Sequence, residues 1–209
     1  MIAQNFRISL IYFAVISSAL TAGIFFAFST FVMRALALQP SASGIATMQS
    51  INITVFNPWF YSAFFGPAVA CVMLAIVALR NWEQPGAIYL LVGSLLYLLG
   101  TIGVTALGNV PLNDALAIMR PTSVEGAELW SKYLTDWTLW NHVRTAAAFF
   151  AAAMFTFSLP LRCHNIGRSS TFLSLLLVRL DSLFVCRLSS LFGFLLPLTD
   201  LPLIRDSLG

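Results

Sequence analysis

Trp59–Leu79 reads WFYSAFFGPAVACVMLAIVAL and holds no charged side chain. The hydrocarbon core of a bilayer takes about 20 apolar residues as helix, so this stretch reads as a membrane span. Pro67 sits inside it. A proline there removes one backbone donor, and neighbours must satisfy the freed carbonyl. Working outward, three more segments have the same character: Phe6–Ala37, Pro85–Leu107 and His142–Leu161. The turn Arg80–Gln84 is short, which makes the second and third spans antiparallel neighbours. The expected fold is all-α: a transmembrane four-helix bundle.

Composition agrees. Of 209 residues, 59% are hydrophobic and 9% charged, whereas a soluble domain carries about 25% charged residues. So few charges cannot cover a water-facing surface. Mean hydropathy is +0.87. The net charge of +3 comes from singly scattered basic residues, not the clusters that track phosphates, so no nucleic-acid partner is expected. Membrane lipid is the expected surrounding. Apolar character runs from Ile8 to about Leu38, too long for a cleaved leader. It reads as an uncleaved first span.

Between the first two spans, Ile45, Met48, Ile51 and Val55 recur at helical spacing, which predicts a short interfacial helix. Thr122-Ser123-Val124-Glu125 is a helix-start signal. A helix from Glu125 to Leu161 would be on the order of 55 Å long at 1.5 Å per residue, so the fourth helix is expected to project beyond the bilayer. Small residues on packing faces are expected at Ala19, Gly23 and Ala27, at Gly93 and Gly100, and at Ala147, Ala148, Ala151 and Ala152. The chain is expected to divide into a membrane domain, 1–162, and a hydrophobic tail, 163–209, with a further helix at Thr171–Leu198.

Polar residues concentrate where the third span ends and the fourth begins. Gly108-Asn109-Val110-Pro111-Leu112-Asn113-Asp114 closes one, and Trp137-Thr138-Leu139-Trp140-Asn141-His142-Val143-Arg144-Thr145 opens the other. Trp137, Asn141 and Arg144 share a helix face, and His142 stands about 100° round from it. An arginine inside a bilayer costs about 2.5–3.5 kcal/mol on lenient scales, so it faces a bundle interior, a cavity or the boundary. Candidate partners for Arg144 are Asp114, Asp136 and the side-chain oxygens of Asn109, Asn113 and Asn141. Trp130 and Trp140 read as interfacial anchors of the span edges, and the plain alternative for Arg144, Asn141 and His142 is anchoring or helix capping.

No metal is expected. His142 is the one histidine before the tail, and the cysteines Cys71, Cys163 and Cys186 form no CxxC pair. HExxH, CxxCH and phosphate-loop signatures are missing from the sequence. Basic residues split evenly between the two sides: Arg7, Arg80, Arg162 and Arg168 against Arg34, Arg120, Lys132 and Arg144. Discounting Arg34 and Arg144 as inward-facing puts the N-terminus in the cytoplasm.

Taken together, Phe26-Ala27-Phe28-Ser29-Thr30-Phe31-Val32-Met33, Met48-Gln49-Ser50-Ile51-Asn52, Asn57-Pro58, Asn109-Val110-Pro111-Leu112-Asn113 and Trp137 to Thr145 resemble the anthrone oxygenase-like family of small four-helix membrane proteins. The resemblance covers about residues 5 to 162 and leaves out the tail. It implies oxidation of an anthrone-like apolar aromatic molecule by dioxygen without a metal, flavin or other cofactor, in a bacterial inner (plasma) membrane. Such chemistry needs a base, an oxyanion stabiliser and an apolar pocket: the candidates are His142 as base, Arg144 and Asn141 with Asn109 and Asn113 at the oxyanion, Trp137 stacked on the substrate, and Arg34 and Asn57 around it. The competing reading is a non-catalytic protein that binds a small molecule or joins a membrane complex. A transporter is disfavoured, since no internal repeat is visible.

Overall fold

The structure, a computed structural model, describes residues 2–163. The helix expected at Thr171–Leu198, with Cys186 and His164, lies outside them. Among the described residues the chain is all helical, with four helices long and apolar enough to cross a membrane. It is a helical membrane bundle. We label its helices α1 (Asn5–Ala37), α3 (Pro58–Arg80), α4 (Ala87–Ala117) and α5 (Val124–Leu159), with α2 (Ser41–Thr54) between the first two.

The lengths organise the molecule. At 1.5 Å per residue the 23 residues of α3 cover about 34 Å, close to the roughly 30 Å core of a bilayer. The 33 residues of α1, 31 of α4 and 36 of α5 overshoot it by about 15–25 Å. The turn between α3 and α4 and the Arg7–Gln84 hydrogen bond (3.4 Å) bring the helix ends together on one side. The overshoot therefore gathers on the other, where α2 lies.

Two cores result. The membrane core packs small or slender residues, among them Ala14, Ala70, Cys71, Leu74, Ala148 and Ala151, around Tyr97 and Phe155. The headpiece core packs Met33, Leu36, Ile45, Met48 and Leu116 against Trp130, Tyr133 and Trp137. Ile45 and Met48 turn inward as their spacing predicts. Gln49 Nε2 donates to the carbonyls of Leu116 and Met119, both at 2.9 Å, satisfying acceptors left over at the end of α4.

The backbone carbonyls one turn before Pro67 are serviced from two neighbours. Thr21 Oγ1 donates to the Ala63 carbonyl (2.9 Å), the acceptor four residues before the proline, and Tyr97 Oη donates to the Phe64 carbonyl (2.9 Å). Gly93 and Gly100 admit α5 closely. A Cβ on Gly100 would lie 2.5 Å from Ala147 Cβ, and one on Gly93 would lie 2.8 Å from the Phe155 ring. Ser123 caps α5, its Oγ accepting from Gly126 N at 3.0 Å.

Three expectations are corrected. The third span does not stop near Leu107 but runs on to Ala117. Its stretches Leu96–Gly103 and Thr105–Asn109 are π-helical, and Pro111 falls in the first turn of the α-helical piece that follows, where no N–H is needed. The stripe Ala19, Gly23, Ala27 is not a packing face: Gly23 has open space around it, and Ala14, Ser17, Ser18, Thr21 and Ala22 face the bundle instead. Trp130 is buried in the headpiece core rather than exposed as an anchor.

Candidate functional site

Between the two cores sits a layer of buried polar side chains. Arg144, 6% exposed, is its centre. Its Nε donates to Asn141 Oδ1 (2.8 Å) and its Nη1 to Thr105 Oγ1 (3.4 Å). Its guanidinium carbon lies 4.0 Å from the ring centre of Phe25 and 4.7 Å from that of Trp137. Asn141 is fully buried, and its Nδ2 donates to the Phe25 carbonyl (2.7 Å) and to Ser29 Oγ (2.6 Å). Thr145 Oγ1 donates to the Asn141 carbonyl (2.6 Å), which leaves Ser29 to donate to Thr145 across 3.2 Å.

Every partner of Arg144 is neutral. Among the described residues no carboxylate pairs with it. Two desolvated aromatic faces and a charge-assisted hydrogen bond each contribute about 2 kcal/mol, which holds the cation in place without cancelling its charge. Arg144 stands about 22 Å from Leu159 along the helix, inside the hydrocarbon depth but toward the headpiece.

Asn109 adds a second unmet demand. Fully buried, it donates from Nδ2 to the Trp137 carbonyl (3.1 Å), yet its Oδ1 has no hydrogen-bond partner. It lies four residues beyond Thr105, which touches Arg144, and Asn109 and Arg144 both border Trp137. Gly108 makes room for this approach, since a Cβ there would meet the Trp140 ring at 2.7 Å. The layer thus holds a buried cation with neutral partners and one buried amide oxygen without a hydrogen-bond partner.

Asn113 belongs to the headpiece side. Its Oδ1 accepts from Tyr133 Oη (2.7 Å) and from Trp137 Nε1 (2.8 Å), fixing the indole that borders Arg144. Trp130, Tyr133 and Trp137 form a ring ladder with centroids 5.5 and 6.2 Å apart, and Phe28 closes it at 5.7 Å from Trp137.

The remaining expected residues do not join this layer. His142 is exposed on the outer side of α5, as its offset from Arg144 around the helix dictates. Asp114 is exposed and Asp136 half-buried, and neither bonds Arg144. Asn57 caps α3: its Oδ1 accepts from Phe60 N (3.0 Å) and its Nδ2 donates to the Thr54 carbonyl (3.0 Å). Arg34 is exposed, lining a groove between α1 and α5. Among the described residues no three His, Cys, Asp or Glu side chains gather at metal-binding spacing.

Residues 56–154 match the sequence model of the anthrone oxygenase family. That stretch of the chain is anthrone oxygenase-like in sequence. The matched stretch holds Asn109, Asn113, Trp137, Asn141 and Arg144 and leaves out α1, so Arg34 lies beyond it. No curated protein and no solved structure matches the chain. The polar layer is completed by Thr105 within the matched stretch and by Phe25 and Ser29 of α1 outside it, none of which the sequence singled out as site residues. Their signal is geometric: Ser29 and Thr105 each lie in a π-helical stretch, Phe28–Val32 and Thr105–Asn109. Such turns re-aim side chains and are frequent at functional sites.

Proposed function

We propose that this anthrone oxygenase-like protein is a membrane oxygenase that converts an apolar aromatic, anthrone-like substrate to its quinone, with dioxygen as oxidant and Arg144 holding the anionic form of the substrate. The observation that carries this reading is the buried guanidinium with neutral partners only. A cation withdrawn from water without a counter-ion is expensive, and the arrangement is suited to a charge that develops during reaction.

The chemistry balances. Loss of one methylene proton turns an anthrone into an extended enolate whose charge rests on oxygen, beside the guanidinium. The enolate carbon adds dioxygen to give a hydroperoxide. Loss of water from it leaves a new C=O, so one oxygen atom ends in the ketone and the other in water. Asn109 Oδ1 accepts a hydrogen bond from a neighbouring phenol of the substrate, and Trp137 stacks on its rings. His142, on the outer side of α5, is left out of this scheme, and the proton passes to water at the bilayer boundary.

Oxygen uptake and quinone formation with anthrone test this. Wild-type protein in detergent turns over; Arg144→Met loses at least about 100-fold, the scale of removing one oxyanion-stabilising group; His142→Ala keeps most of the rate. Wild-type protein that binds anthraquinone without consuming oxygen would favour the non-catalytic binder instead. We place the protein in a bacterial inner (plasma) membrane with its N-terminus in the cytoplasm, since neither the buried Arg144 nor the groove-lining Arg34 reads as a surface charge that orients the chain.

A further inference from the structure

A groove of about 280 Å³ opens sideways between α1 and α5, with Ser29, Thr30, Arg34 and Thr138 on its polar side and Met33 and Leu134 on its apolar side. We propose that it binds a compact apolar molecule bearing a single anionic group, with that group on Arg34. Resting on the oxygenase reading, this makes the groove the lateral access site of the substrate, and the substrate an acid.

Four observations support the assignment. The first is charge: Arg34 is exposed, and among the described residues no carboxylate pairs with it. Thr138, half-buried beside it, makes no hydrogen bond to the protein among the described residues, which leaves a hydroxyl to serve the same anion. The second is size. The volume, about 280 Å³, falls just below the roughly 300–1,000 Å³ of small-molecule sites, which suits a compact fused-ring molecule and not a two-chain lipid. The third is depth. Arg34 lies one turn from the end of α1, toward the headpiece. Ser29 lies five residues deeper, about 7.5 Å along the helix. A rigid acid with its charge at the boundary therefore reaches Ser29 with its far end. The fourth is continuity. Ser29 lines the groove and also accepts from Asn141, whose Oδ1 holds Arg144. One side chain separates the groove from the buried cation.

The test is calorimetric binding to the full-length protein in neutral detergent, with anthraquinone-2-carboxylate and unsubstituted anthraquinone as probes. Wild-type protein binds the acid about fivefold more tightly, the size of a solvent-shared ion pair. Arg34→Gln removes the difference and leaves the neutral probe unchanged. Leu134→Trp, which fills the groove, weakens both. Equal affinity for the two probes in wild type, or a preference that survives Arg34→Gln, overturns the proposal, as does displacement of the acid by one equivalent of phosphatidylglycerol. The two readings fail separately. Arg34-dependent binding without oxygen uptake from anthrone keeps the groove and removes the oxygenase. Turnover of anthrone that Leu134→Trp leaves untouched keeps the oxygenase and removes the groove.

Discussion

The membrane core and the headpiece solve the same packing task with opposite materials. Where α1, α3, α4 and α5 cross, the buried residues are mostly alanines, serines, threonines and leucines, with Gly93 and Gly100 at the closest approaches. Where the helices overshoot, Trp130, Tyr133, Trp137 and two methionines fill the space. In lipid, a large apolar side chain gains nothing by leaving the surroundings for the core, so close backbone packing and interhelical hydrogen bonds must hold the helices. Beyond the bilayer, water restores the hydrophobic driving force, and aromatic bulk becomes worth burying. The polar layer around Arg144 lies at the seam, where neither material is at its best.

That contrast can be broken by substitution. The largest effect is expected from Trp130→Ala, which removes a buried indole where water supplies the driving force: a loss of about 3–5 kcal/mol, read from denaturant unfolding in detergent. A loss below about 1 kcal/mol would place the headpiece in lipid. Next comes Gly100→Leu. It adds apolar area, yet its side chain has to enter where Ala147 Cβ would be 2.5 Å away. We expect destabilisation of about 1–3 kcal/mol by the same unfolding measurement; an increase in stability would mean that apolar area counts in this core as it does in water. The smallest is Thr21→Val, which strands the Ala63 carbonyl freed by Pro67. Its expected cost is about 0.6–1.7 kcal/mol, with faster hydrogen exchange near Pro67 as a local sign. No change in exchange there would show that the carbonyl finds another donor.

Much of the scaffold was legible because a few local rules decide it. Apolar length gave the spans. Ser123 gave the start of α5, Pro67 announced a need for outside donors, and the seven-residue spacing of Trp137 and Arg144, with Asn141 between, pointed them inward together. The same spacing had already set His142 apart. Asn57, expected around the substrate, instead caps α3, with proline at the first helical position after it. The π-helical stretches were not readable. Ser29 and Thr105 lie in them and came into the site unannounced, and α4 ran past Pro111. Interhelical partners stayed hidden for a simpler reason. In a chain where lipid-facing and core-facing residues are equally apolar, periodicity does not separate Ala14 from Ala19.

The central claim is that the Arg144 charge serves an anion and not the fold. Its most direct test is unfolding of wild type and Arg144→Met side by side, with oxygen uptake from anthrone measured on the same preparations. The account predicts stability within about 1 kcal/mol, because losing the bond to Asn141 is offset by no longer burying a lone cation, together with loss of turnover. A loss of about 3–5 kcal/mol, with intact turnover by the protein that stays folded, would contradict it and make Arg144 a structural strut.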